Sequence, residues 1–342
     1  MALCKLMPAC PRCTFRSQFW CWFVIVVFNS GLLRAQSGAA GSHPRFLETK
    51  AASSGFELKF DPGGPFNARL ESSTDLRTWL AIYTFPSTAA GATLQHTDAA
   101  LPRTPVRYYR VSQLSVTNAV AGDHLPTADG DVVVHPVNHA SLVLAWKDQV
   151  IYCDPVGGAA LYRSFPRPTL VLVTDIHTDH MDSVTLNGIG ATNATILAPL
   201  AVFQQLSSGL RGVTRVLTNT ASAEVAGVRV DAVPMYNLTP ARLSYHSKGR
   251  GNGYVITLGG KRLYVSGDTE DIPEMRALRD IDVAFVCMNL PFTMDINQAA
   301  SAVRDFRPGI IYPYHYSSSD VVRFKQLIGD ETGTEVRLRK WY

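Results

Sequence analysis

The spacing of apolar residues changes character along the chain. A first block, Phe19 to Phe28, is apolar without a break. From residue 46 to 114 apolar and polar residues alternate in short runs: Phe56–Phe60, Phe66–Ser72, Trp79–Phe85, Ala92–His96 and Arg107–Leu114. Turn-forming stretches, Asp61-Pro-Gly-Gly64 and Ala89–Gly91, punctuate them. Period-two runs at this spacing predict strands of a small all-β sandwich. From Asp131 onward, strands alternate with helices. Strands are predicted at Val132–His135, Ser141–Trp146, Val150–Cys153, Thr169–Asp175, Thr195–Ala198, Val213–Leu217, Val228–Val233, Gly253–Leu258, Arg262–Ser266, Val283–Cys287 and Ile310–Tyr314. Helices are predicted at Leu200–Ser208, Pro273–Arg279, Ile296–Phe306 and Asp320–Ile328. Short turns at Lys147-Asp148 and Gly259-Gly260 join some strands as hairpins. The pattern suits two mixed sheets packed together with helices outside. Small and polar residues at 36–45 and 115–130 read as linkers.

The leader changes what the composition means. The chain of 342 residues carries 32 Lys plus Arg against 28 Asp plus Glu, a formal charge of +4. Lys5, Arg12, Arg16 and Arg34 all lie in residues 1–35, which hold no acidic residue. Ten apolar residues are too few to span a bilayer, which needs about 20. A basic start followed by a short apolar core is the pattern of a secretory signal peptide, with Ala35-Gln-Ser37 as a small-x-small cleavage region. The alternative is an uncleaved membrane anchor. Without the leader the charge is 28 against 28. The mature chain is then neutral, which argues against a nucleic-acid partner, and it has no stable membrane span. Four of the six cysteines also sit in the leader, including Cys10-x-x-Cys13, so only Cys153 and Cys287 remain. These features predict export to a periplasmic or extracellular compartment.

The chemistry is concentrated after the strand Leu170–Thr174, which runs into Asp175-Ile-His177-Thr-Asp179-His180. Four candidate ligands in six residues meet a common centre only on a tight loop. Neutral imidazole nitrogen mixed with carboxylate oxygen suits zinc, iron or manganese. The run resembles the H-x-H-x-D-H signature of the metallo-β-lactamase-fold hydrolases, with Asp175 where the first His would stand. Tyr264-Val-Ser-Gly-Asp268-Thr269 is similar to that family's strand ending in a metal-bridging Asp. Tyr312-Pro-Tyr-His315-Tyr316 is similar to its last ligand His. His139-Ala-Ser-Leu-Val, Asp154-Pro155, Thr269-Glu-Asp-Ile-Pro-Glu274-Met and Thr293-Met294 resemble the branch that includes ascorbate-6-phosphate lactonase. Ser73-Thr-Asp-Leu-x-x-Trp79 and Arg107-Tyr-Tyr-Arg-Val111 resemble small fibronectin-like accessory modules.

The resemblance implies an αββα four-layer sandwich over residues 131–342, preceded by the β module at 46–114. It implies two metal positions, filled by one or two zinc ions, with manganese or iron as alternatives. The second position would take Asp179, His180, Asp268 and His315. The first would take Asp175, His177 and, by register with Val233-Pro-Met-Tyr-Asn237, Asn237; His246 is the alternative third ligand. The mechanism implied is hydrolysis of a small ester, lactone or phosphodiester by a metal-activated water, with Asp179 orienting that water and relaying a proton. The glycine-rich loop His246-Ser-Lys248-Gly-Arg250-Gly-Asn252-Gly253 is a candidate holder of a substrate anion through His246, Lys248 and Arg250. Glu270, Asp271 and Glu274 are read as caps at a helix's positive end. Two alternatives stand beside this reading: a degenerate domain that binds a metal or ligand without turnover, and a phospholipase acting on N-acyl phosphatidylethanolamine.

Overall fold

Leu170, Val171, Leu172 and Val173 are all fully buried, yet they enter two different cores. Leu170 and Leu172 face a second sheet; Val171 and Val173 face helices. A strand buried on both faces belongs to the middle of a layered α/β architecture, and its unbroken apolar run follows from that. The computed structural model describes residues 25–28, 44–52, 55–64, 67–87, 91–99, 106–114 and 120–342.

Two large sheets pack face to face. The first runs Ile25–Phe28, Val106–Leu114, Asn67–Ser73, Leu80–Phe85, Gly122–Leu125, Val132–Asn138, Ser141–Trp146, Gln149–Cys153, Leu170–Leu172, Thr195–Ala198 and Thr214–Val216 in spatial order. The second runs Ser222–Val225, Val228–Met235, Gly251–Leu258, Lys261–Val265, Val283–Cys287, Ile310–Tyr314 and Glu335–Val336. Leu142, Leu144, Leu170, Leu172 and Leu197 of the first sheet share a core with Val230, Tyr254 and Ile256 of the second. The outer face of the first sheet, with Val143, Val171 and Ile196, is covered by Leu186, Val202, Leu206 and Leu210. The helix Ile296–Phe306 buries Ala299, Ala300, Ala302, Val303 and Phe306. Its start is fixed by a reciprocal capping box between Asp295 and Gln298. This is the αββα metallo-β-lactamase fold. The Gly259-Gly260 turn has positive φ at both residues (56° and 81°), the twist a two-residue hairpin requires.

Several elements differ from the sequence expectation. The strand predicted over Thr169–Asp175 keeps only Leu170–Leu172. Thr174 leaves the ladder because its N–H donates to Asp154 Oδ1 and its carbonyl accepts from Asn252 N. Leu200–Ser208 divides into the helices Leu200–Gln205 and Ser208–Arg211, and Pro273–Arg279 shortens to Pro273–Arg276. The strands Arg45–Ala52, Ser222–Val225 and Glu335–Val336 and the helix Ser183–Gly188 add to the predicted set.

At the N-terminal side, a three-stranded sheet of Arg45–Ala52, Gly55–Asp61 and Leu94–Asp98 covers the near end of the long sheet. Phe56, Leu58, Phe60, Leu70, Phe85, Tyr109 and Val111 fill the space between. Within the stretch expected as a second linker, Gly122–Leu125 is a strand. It pairs with Leu80–Phe85 on one side and Val132–Asn138 on the other. Gly122 has φ 146°, and a Cβ there would lie 2.2 Å from the Val134 carbonyl oxygen. Buried polar groups join the same seam: Thr84 Oγ1 lies 2.7 Å from His124 Nε2, and His124 Nδ1 lies 2.9 Å from Asp131 Oδ2. Asp123 takes both Arg339 donors at 2.8 Å and the Tyr312 hydroxyl at 2.9 Å.

Of the expected leader, Ile25–Phe28 is described, as an edge strand against Val106–Leu114. The cleavage region at 35–37, residues 36–43 of the first linker and residues 115–119 of the second lie outside the described residues. No helix among the described residues is long and apolar enough to cross a membrane.

Candidate metal centre

Parallel strands deliver their following residues to one end of the two sheets. Asp154 follows Gln149–Cys153, and the 174–182 loop follows its parallel neighbour Leu170–Leu172. Asp268 follows Lys261–Val265, and His315 follows Ile310–Tyr314; both strands run parallel to Val283–Cys287. Tight backbone turns aim these residues inward. Asp154, His139 and His315 have φ of 44°, 48° and 44°, a region that costs a non-glycine residue about 1–3 kcal/mol. Gly267, at φ 60°, lets the chain pass where a Cβ would meet Met235 Sδ at 2.5 Å.

Two ligand groups result. In one, Asp175, His177 and His246 each place a ligand atom within 4.8 Å of the others; in the other, Asp179, His180 and His315 do the same. Asp268 stands between them. Its Oδ2 is 3.3 Å from both His246 Nε2 and His180 Nε2, and its Oδ1 is 3.4 Å from His315 Nε2. His180, His246, Asp268 and His315 are buried. Yet His180 Nε2, His246 Nε2, His315 Nε2 and Asp268 Oδ1 have no hydrogen-bond partner. Buried polar atoms are nearly always paired. Three imidazole nitrogens and one carboxylate oxygen, all orphaned around Asp268, are a donor set that divalent cations accept.

Outer contacts fix the ligands. His180 Nδ1 lies 2.8 Å from Asp154 Oδ2 and 3.0 Å from Thr174 Oγ1, which directs Nε2 into the centre. His246 Nδ1 lies 3.2 Å from the Phe292 carbonyl, so that nitrogen carries the proton and Nε2 keeps its lone pair. The His139 ring meets His315 edge-on at 5.7 Å. Burial disfavours charge on His180, but Asp268 and Asp154 outweigh it and raise its pKa. Burial likewise opposes ionisation of Asp268, and His315 and His180 outweigh it, holding that carboxyl well below its ordinary range. Asp179, with a side chain 42% exposed, is pushed up by burial but pulled down to about 2 by His315 and His180.

The structure brings Asp175, His177, Asp179, His180, Asp268 and His315 together, and His246 with them. Asn237 stands behind His246. Its Nδ2 donates to the carbonyls of Arg242 (3.0 Å) and Phe292 (2.7 Å) and lies 3.3 Å from His246 Nδ1. The other loop cations have carboxylate partners: Arg250 pairs with Asp175, and Lys248 pairs with Glu274 beside the Tyr236 hydroxyl. Glu270 caps a different segment from the one expected. It accepts from Leu238 N and Thr239 N and from Arg242, each at 2.6 Å. Sequence reasoning missed Asp154 and Thr174 as supports of His180; a carboxylate directly after a buried strand was the available signal. Cys153 and Cys287 are buried and free.

Residues 134–315, more than half of the chain, match the family described as "Beta-lactamase superfamily domain". A "UPF0173 metal-dependent hydrolase" of Pyrococcus abyssi is 32% identical over 179 residues, which cover 49% of this chain and 78% of that protein. A crystal structure from Parabacteroides distasonis, named as a metal-dependent hydrolase, is 38% identical with a TM-score of 0.59. The match covers 64% of this chain and 97% of that one. Igni18, a metallo hydrolase from Ignicoccus hospitalis, shares the fold at 22% identity and TM-score 0.53, covering 61% of this chain and 95% of its own. With the family match and the site's geometry together, the chain belongs to the β-lactamase superfamily as a metal-dependent hydrolase.

Proposed function

We propose that this hydrolase cleaves a small ester, lactone or phosphodiester at the cluster of Asp175, His177, Asp179, His180, His246, Asp268 and His315. The carrying observation is the convergence of unpartnered, buried His180 Nε2, His246 Nε2, His315 Nε2 and Asp268 Oδ1. A divalent cation bound there, zinc or manganese, supplies a Lewis acid for the scissile carbonyl or phosphoryl group and lowers the pKa of water to about 7.

The protein's own residues do the rest. His180, His246 and His315 would hold the cation through Nε2, and Asp268 spans both groups. Asp179 lies on the open side, with Oδ2 3.2 Å from His315 Nε2. Held ionised by His315 and His180, it accepts a hydrogen bond from the attacking water and orients it. The proton it takes from that water is the one it relays to the leaving group. Asp154 and Phe292 hold the tautomers of His180 and His246. The resemblance to the ascorbate-6-phosphate lactonase branch makes phosphorylated lactones the first substrates to try. The basic, apolar leader supports an exported enzyme, periplasmic or extracellular, with an uncleaved anchor as the alternative.

Element analysis of the purified mature protein, with a panel of lactones, phosphodiesters and esters, tests this. Bound metal and turnover that His180→Ala and Asp268→Ala abolish are expected. A protein without metal, or hydrolysis untouched by either substitution, would defeat the proposal.

A further inference from the structure

Asp175 is fully buried, and a single guanidinium holds both of its oxygens. Arg250 Nε donates to Oδ1 at 3.1 Å, and Nη2 donates to Oδ2 at 3.0 Å. The same Nη2 also donates to the Tyr245 carbonyl, so Arg250 is anchored on two sides. Asp175 Oδ2 is in addition the oxygen facing the ligand group, 2.7 Å from His177 Nδ1 and 3.9 Å from His246 Nε2. The other group differs. Among the described residues, the ion-pair partners of Asp179 and Asp268 are all histidines.

A carboxylate has about four lone-pair sites. The fork occupies one on each oxygen with charge-assisted hydrogen bonds. It also cancels the negative charge that would draw a cation, and it sets a fixed positive charge beside that cation's seat. We propose that Arg250 makes the two metal positions unequal: the chain takes one cation tightly at Asp179, His180, Asp268 and His315, and a second only weakly at Asp175, His177 and His246. This rests on reading the cluster as a metal centre. It makes the second cation exchangeable, so the metal content follows the supply in the surroundings.

The test is equilibrium dialysis of the full chain, stripped with a chelator and titrated with Mn²⁺, with bound metal counted by element analysis. The wild type is expected to load in two steps at least about tenfold apart in Kd, or to take one cation only. Arg250→Gln should tighten the weaker step about tenfold, or restore a missing second cation. Asp175→Asn keeps the side chain's shape and should leave the tighter step in place. Two cations bound in one step by the wild type, an unchanged gap in Arg250→Gln, or loss of the tighter step in Asp175→Asn each overturn the inference. Should Arg250→Gln not fold, the wild-type and Asp175→Asn titrations still decide whether the two positions are unequal, and Arg250→Lys, which keeps the charge but loses the fork, should narrow the gap if the fork is the cause. A chain that binds no Mn²⁺ at all sinks the metal-centre reading itself, whereas equal steps sink only the role of Arg250.

Discussion

Asp154 Oδ2 lies 2.8 Å from His180 Nδ1, and both residues are completely buried. The carboxylate fixes which nitrogen of His180 is protonated and raises the basicity of the other. Asp154→Asn is close to isosteric but removes the charge. We expect a folded protein whose metal affinity falls about 10–100-fold. Chelator competition on wild type and variant measures it; equal affinities would reduce Asp154 to a packing role.

His246 and Asn237 are neighbours with different duties. His246→Ala deletes a ligand atom from the Asp175 group and is expected to remove the weaker metal step. Asn237→Ala removes one donor each from the Arg242 and Phe292 carbonyls and loosens His246. Its expected effect is a weakening of that step by about tenfold. Metal counting on both variants distinguishes the roles, and a larger loss in Asn237→Ala would reverse them.

Metal uptake should release protons. Without a cation, Asp268 and Asp154 overcome the burial that opposes charge on His180 and keep it protonated above its ordinary pKa. A cation must displace that proton, so affinity rises with pH until His180 is neutral. Calorimetric titration in buffers of different ionisation enthalpy counts the protons. Heats that do not depend on the buffer would contradict this.

Acid should attack the seam at Gly122–Leu125, between the strands Leu80–Phe85 and Val132–Asn138. Burial pushes the Asp123 carboxyl up, but Arg339 and Arg337 outweigh it and hold it at about 2. Because the folded pKa lies below the unfolded value of about 3.9, the contribution is complete above about pH 5 and fades as pH falls toward 2. Its size is about 2–3 kcal/mol. Urea midpoints of wild type and Asp123→Asn should therefore converge as pH drops from 5 to 2, and a constant difference would refute the assignment.

How much of this was legible in the sequence depends on the length scale of the signal. Ile296–Phe306 was readable because its apolar face and its Asp295–Gln298 cap are local. The 175–180 loop and Asp268 were readable because each follows an apolar strand within a recognisable run. The Asp154–His180 contact joins residues 26 apart, and no local period marks it. His246 reaches the centre from an irregular loop, where register arguments pointed to Asn237. Ser183–Gly188 is one short turn with little apolar rhythm. Gly122–Leu125 hid for another reason: Asp123 and His124 look like surface residues until Arg339, Thr84 and Asp131 are seen around them.

The long sheet has a mechanical meaning. Gly122–Leu125 is hydrogen-bonded to Leu80–Phe85 on one side and to Val132–Asn138 on the other. A truncation after residue 114 would turn that strand into a raw edge, with unpaired N–H and C=O groups ready to recruit another chain. It would also leave His124 Nε2 without the Thr84 hydroxyl that now faces it. The strands before residue 115 thus guard an edge, and a chain lacking them is expected to self-associate.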